Sequence, residues 1–251
     1  MGIVADGVRR QAAAPRQRRI PAWRIAERSG LLLLILCAAL LEVNVVSGPD
    51  AVAAPAMVAA LDAQQGTPAE MIMPGERIAD AVVAVEDSSF YRDGGVSLPA
   101  LARGLWGYVR GTDSGGSTIE IQLAHVLFPA ATAGLWGRVH RVTLAIAFDG
   151  HFTKDAILSM YLDSVYFGHG FTGIAAASRG YFDCTPAQLS WQQAAMLAGL
   201  IASPSALDPL QHLAAAMQRM RYVLQRLVVT GMLSQTDAQR AATAPLHLRR
   251  V

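Results

Sequence analysis

Residues 81–95 read AVVAVEDSSFYRDGG. An apolar run from Ala81 to Val85 delivers two adjacent acids, Glu86 and Asp87, followed by Ser88-Ser89, the aromatic pair Phe90-Tyr91 and a Gly94-Gly95 turn. The run is short and continuous, and together with Ile78 it has helical spacing. Acids at the C-terminal end of an apolar helix face the carbonyl end of the helix dipole and lose part of their hydration. Both effects favour the neutral carboxylic acid, so a pair of acids at this place needs a reason.

The surroundings narrow the choice. The chain has 251 residues, 53% of them hydrophobic, and a mean hydropathy of +0.31, which is more apolar than a typical soluble domain. That length suits one or two domains with a sizeable core. The net charge of +2 hides an asymmetry. Arg9, Arg10, Arg16, Arg18, Arg19, Arg24 and Arg28 crowd the start against Asp6 and Glu27, and the remainder is close to neutral. No basic face with interleaved aromatics follows, which speaks against nucleic acid as a partner. Lys154 is the only lysine in an arginine-rich chain, so arginine is expected where related chains carry lysine. Cys37 and Cys184 stand too far apart in character and sequence to read as a disulfide, and two thiols make no metal site.

After the arginines, Leu31 to Leu41 is unbroken apolar, Glu42 and Asn44 interrupt, and Val45-Val46 closes the stretch. Eleven clean residues suit a signal core and the longer run a short span, since a full crossing needs about 20 residues. We read it as an uncleaved signal-anchor, with the basic N-terminus cytoplasmic under the positive-inside rule. A cleaved signal with Ala51-Val52-Ala53 as the cut site is the alternative. The expected organisation is a basic N-terminus over 1–29, an anchor over 30–47, an Ala/Pro/Gly-rich linker over 48–70 with one short helical stretch, and a folded domain over 71–245.

Within that domain almost every segment has helical period. Helices are expected over Ile78 to Asp87, Leu98 to Tyr108, Val139 to Phe148, Thr153 to Tyr166 with Thr153 as N-cap, and Met217 to Thr230 ending at Gly231. Ser117-Thr118-Ile119-Glu120 fits a capping box after a Gly-rich loop, Ser190-Trp191-Gln192-Gln193 fits another before an apolar helix stopped by Ser203-Pro204, and Ser234 caps a last short helix. No alternating strands stand out. The fold class is mainly α.

Four blocks in this order resemble the peptidoglycan glycosyltransferases of glycosyltransferase family 51. Glu86-Asp87-Ser88-Ser89-Phe90 resembles their first motif. Gly115-Gly116-Ser117-Thr118-Ile119 with Gln122 resembles the second. Lys154 to Phe182 resembles the fourth at many positions, and Leu189 to Pro209 follows as in the family. The resemblance implies a membrane-anchored, lysozyme-like α domain that polymerises lipid II. It implies Glu86 as the general base for the acceptor sugar's 4-hydroxyl, with Asp87 beside it, and it accounts for the acids: a general base needs a pKa near the working pH, and an apolar setting raises it. Ser117, Thr118 and Gln122 are then expected near the donor diphosphate, at a helix N-terminus suited to phosphate. Glu120 reads only as a cap.

The family's third motif, Arg-Lys-x-x-Glu, falls on Gly137-Arg138-Val139-His140-Arg141. The first Arg is Gly137, the Lys is Arg138, and the Glu, which in the family helps organise the diphosphate and a divalent metal, is Arg141. Arginine binds phosphate oxygens but no metal ion. Arg138 and Arg141 are therefore expected to clamp the diphosphate directly, which makes a requirement for Mg2+ doubtful and leaves no cofactor or protein metal site assigned. Asp93 replaces the first motif's His, Ile121 the first of the paired glutamines, and Asp163 the fourth motif's Asn. His125, His140, His151 and His169 read as surface or core residues rather than ligands, and Tyr161, Tyr166 and Phe167 as core.

With nothing like a transpeptidase before the end at Val251, the resemblance implies a monofunctional glycosyltransferase at the inner membrane, its folded domain periplasmic, meeting lipid II, the nascent glycan strand and, on one view, other cell-wall synthesis proteins. Two other readings stay open: an inactive relative that binds lipid II or a cell-wall partner, favoured by Arg141, and a lytic transglycosylase needing one acid, disfavoured by the Ser-Thr block.

Overall fold

The computed structural model describes residues 48–66, 72–73, 75–94, 117–130 and 134–249. The chain divides into two units, Met1–Leu40 and Leu41–Val251, and every described residue belongs to the second. The expected anchor, the expected helix over 98–108 and Gly115-Gly116 lie outside the described residues. Among those that are described, no helix is long and apolar enough to cross a membrane.

The mainly α expectation is met. The described elements are α1 (Gly48–Gln65), α2 (Arg77–Glu86), α3 (Ile119–Leu127), α4 (Gly134–His151), α5 (Lys154–Ser164), α6 (Ile174–Phe182), a 3-10 turn (Pro186–Gln188), α7 (Trp191–Leu200), α8 (Leu213–Val229) and α9 (Gln235–Thr243). An isolated β-bridge joins Tyr166 to Thr172.

The helices pack as two sets. In one, α2, α7 and α8 lie against one another and α9 covers α7 and α8. Helix α2 is apolar almost all round, with Ile78, Ala79, Ala81, Val82, Val83 and Ala84 buried, so it belongs inside. Helix α8 is amphipathic. Ala216, Met220, Val223, Leu224 and Leu227 form its buried stripe, and each large side chain so buried contributes about 1.5–3 kcal/mol. Gly231, at φ 77°, ends α8 in the left-handed conformation that glycine adopts freely, while the Met232 amide returns to the Leu227 carbonyl at 2.9 Å. Helix α7 starts with the expected box: Ser190 Oγ accepts from the Gln193 amide at 3.2 Å, and Gln193 Oε1 accepts from the Ser190 amide at 2.9 Å. Its apolar stretch ends at Leu200, and α8 approaches it closely at Gly199, where a Cβ would sit 3.0 Å from Arg219 Cγ.

In the other set, α3 packs against α4 and α5, and α1 against α4 and α5. Here the linker reading is corrected over residues 48–65. The segment forms an 18-residue helix, and Ala51, Ala54 and Val58 are in the core. Those positions repeat at helical spacing, but alanine contrasts so little with its neighbours that the stripe is faint. Pro55 is tolerated because it lies on the exposed side and removes only one ladder bond. Helix α6 connects the sets, touching α5 and α7. Its entry depends on Gly173: at φ 83° a Cβ there would meet the Asp163 carbonyl oxygen at 2.8 Å.

Candidate active site

The two sets meet at the end of α2. Glu86 is the last residue of that helix, and Glu86 Oε2 accepts a hydrogen bond from Gln122 Nε2 of α3 at 2.9 Å. Gln122 Oε1 in turn accepts from the Tyr161 hydroxyl of α5 at 2.6 Å. Tyr161 is completely buried. Burial raises the Glu86 carboxyl above its ordinary value; the Gln122 bond and the positive charge of Arg219 on α8 oppose that rise, and neighbouring Asp87 adds to it. Glu86 is therefore a partly desolvated carboxyl that meets a neutral amide rather than a counter-charge, a setting that favours its protonated form.

Asp87 has a different task. Its Oδ1 accepts from the Ser89 amide at 3.3 Å, and its Oδ2 from the Ile119 amide at 3.4 Å. Ile119 is the first residue of α3, so the acid that follows α2 fastens the start of α3, satisfying one of the amides a helix leaves open. Ser89 Oγ lies 3.1 Å from Asp87 Oδ1 and 2.7 Å from Asp93 Oδ2. Burial pushes the Asp87 carboxyl up, the bonds from Ser89 and Ile119 pull it down, and Asp93 raises it again.

The capping expectation at α3 shifts by one residue. Thr118, not Ser117, is the N-cap, and its Oγ1 accepts from the Ile121 amide at 3.3 Å. Ser117 is exposed. Glu120, expected as a cap, instead turns inward: it is 1% exposed, and Lys154 Nζ lies 2.6 Å from its Oε1. The same ammonium is 2.7 Å from Asp149 Oδ1 and 4.8 Å from the centroid of the Phe90 ring. Burial disfavours the Lys154 charge, but the bonds to Asp149 and Glu120 outweigh it and hold the pKa above the ordinary lysine value. A half-buried lysine needs its carboxylates more than a helix needs a second cap.

Of the remaining predicted site residues, Arg141 lies half-buried on α4. The side chain of Arg138, on the same helix, is outside the described residues. Gln122, expected beside the diphosphate, is engaged by Glu86 and Tyr161. Sequence reasoning missed Tyr161, Arg219 and the Glu120–Lys154–Asp149 cluster. Only the last left a signal, a single lysine in a chain that otherwise uses arginine. Among the described residues no group of three or more His, Cys, Asp or Glu could hold a metal ion. Glu120 and Asp149 share the Lys154 ammonium, and Asp87 is committed to backbone amides. These residues do not fit a divalent cation.

A half-buried carboxyl at a junction between helix sets, bonded to an amide that a buried phenol meets in turn, has the surroundings in which a proton can be taken up or given back. The family model described as Transglycosylase matches residues 55–228. The chain belongs to the transglycosylase family. Penicillin-binding protein 2a of Streptococcus pneumoniae is 32% identical over 192 residues, which cover 75% of this chain and 26% of that protein. A Cupriavidus necator protein called "Putative transglycosylase H16_A0665" is 35% identical over 173 residues, covering 68% of this chain and 75% of it. Penicillin-binding protein 1A of Mycolicibacterium smegmatis is 39% identical over 168 residues, covering 64% of this chain and 21% of it. The chain thus spans about a quarter of the length of the penicillin-binding proteins it matches.

Proposed function

We propose that this chain is a peptidoglycan glycosyltransferase that joins lipid II units into glycan strands at the outer face of the inner membrane. The observation that carries the proposal is Glu86: a carboxyl raised by burial and bonded to an amide, at the position the family's first motif gives its base. In the reaction the acceptor's O4 attacks the anomeric carbon of the donor, the bond from that carbon to the diphosphate breaks with its electrons leaving on the lipid diphosphate, and the O4 proton passes to Glu86. A carboxylate with a raised pKa takes that proton more readily than an ordinary one. Asp87 holds α3 against α2 so that Glu86 and Gln122 keep their geometry.

Ser117, exposed at the α3 N-terminus, with Arg138 and Arg141 from α4, forms the proposed diphosphate side, while Thr118 caps that helix and Gln122 is held at Glu86. Guanidinium groups suit phosphate oxygens geometrically as well as electrostatically, and two of them stand in for the metal that Arg141 displaces. The arginines before Leu31 and the apolar run after it support a single anchoring span with the N-terminus cytoplasmic.

The test is turnover of lipid II by the full chain in detergent, with Mg2+ and with EDTA, beside Glu86→Gln. Polymer that is lost in Glu86→Gln and survives EDTA supports both the base and the arginine clamp. Folded protein that binds lipid II without polymerising it supports the second reading, an inactive relative, which Arg141 favours.

A further inference from the structure

The chain of bonds from Tyr161 through Gln122 to Glu86 runs across three helices, α5, α3 and α2. A glutamine amide presents an acceptor at one end and a donor at the other, and turning it by half a revolution exchanges them. At Glu86 only the donor end is useful, because Gln122 Oε1 turned toward Glu86 Oε2 would set two acceptors against each other. What selects the useful orientation is a donor at the far end, and Tyr161 supplies one at 2.6 Å from inside the core. We propose that Tyr161 is a positioning residue, whose hydroxyl fixes the Gln122 amide with its NH2 group turned to Glu86.

The proposal rests on the reading of Glu86 as the base and adds what holds that base in one orientation without giving it a counter-charge. The other charged groups around Glu86 do not replace this clamp. Asp87 is bound to the Ile119 amide. Arg219 on α8 contributes charge at a distance. Arg226 on α8 donates to the Ala84 carbonyl at 3.2 Å. Glu120 on α3 is paired with Lys154. Helix α7, also packed against α2, carries no titratable side chain. The orientation of Gln122 therefore depends on the phenol. Without it the amide turns, the ionised carboxylate loses its donor, and the protonated form of Glu86 gains.

The test is the titration of Glu86 itself, followed by 13C NMR of the full chain labelled at the glutamate carboxyls, with the resonance assigned by its loss in Glu86→Gln. In Tyr161→Phe, which removes one oxygen and leaves no large cavity, the Glu86 midpoint is expected to rise by about half a pH unit, a hydrogen-bond-sized effect. In Gln122→Leu it rises at least as far, and adding Tyr161→Phe to Gln122→Leu moves it no further, since the phenol acts only through the amide. A Glu86 midpoint unchanged in Tyr161→Phe, or shifted equally with and without Gln122, overturns the proposal. Thermal melting checks that each variant is folded. With lipid II as probe, Tyr161→Phe is expected to lower kcat about tenfold, with KM within about twofold and the acid limb of the kcat profile moved upward. A wild-type chain that polymerises nothing overturns the catalytic reading and leaves the NMR result to decide the clamp.

Discussion

Two glutamates on this framework, Glu120 buried and Glu86 half-buried, are given different partners. Glu120, on α3, meets the Lys154 ammonium at 2.6 Å, and Asp149 shares that cation. Glu86, at the end of α2, meets only the Gln122 amide at comparable range, with Arg219 felt through charge alone. Burial leaves the carboxyl raised in both places; what opposes it at Glu120 is a full ammonium charge in contact, and at Glu86 first a neutral amide. With Glu86 as the proposed base, the contrast sets a carboxylate that ties helices together beside one left without a counter-charge in contact. An ammonium beside Glu86 would make the site more stable and less basic.

The comparison can be broken at either end. Glu86→Gln should lower lipid II turnover by about 10³-fold, the scale of a lost general base and about 4 kcal/mol in the barrier. The same variant should melt higher than the parent at neutral pH. Glu86 has a folded pKa above its ordinary value of 4.5, so its contribution to stability is favourable at low pH and is lost as pH rises through the folded value. The advantage of Glu86→Gln in a melting series should therefore shrink as pH falls toward 4.5.

Lys154→Met attacks the other end. It leaves Glu120 and Asp149 facing each other without their cation and should cost about 3 kcal/mol in denaturant unfolding, the scale of a broken buried pair. Gln122→Lys converts the first environment into the second. It should raise the melting temperature, move the acid limb of the pH–rate profile downward, and lower turnover about tenfold at neutral pH as the base weakens. An unaltered pH profile would show that the amide has no part in setting Glu86. The smallest effect is expected from Thr118→Ala, which removes the N-cap that α3 needs to present Gln122; it should cost about 1 kcal/mol of stability.

The legible parts of the fold were those with strong local signals. The apolar run of α2, the stripe of α8 with Gly231 behind it, and the Ser190–Gln193 box all lie within a few residues of sequence. Helix α1 looks like a linker in the sequence because its buried face is largely alanine and Gly48, Pro49 and Pro55 fall within its first half. The Ser117-x-x-Glu120 spacing suggested a box that tertiary packing overrode, since Lys154 claims Glu120 from 34 residues away. At the candidate site the acids were conspicuous and their partners were not. Gln122 lies 36 residues from Glu86, and Tyr161 a further 39 from Gln122. No periodicity links three positions that meet only when three helices cross, and a tyrosine in an apolar helix reads as filling until its hydroxyl finds an acceptor.

The bond from the Ile119 amide to Asp87 makes the junction readable by hydrogen exchange. The first amides of a helix exchange quickly when only water covers them, but this one is covered by a side chain anchored in the other set of helices. Its deuterium uptake therefore times the parting of the two sets, and a molecule that bridges them across Glu86 should slow that uptake while leaving the amides in the middle of α8 as they were.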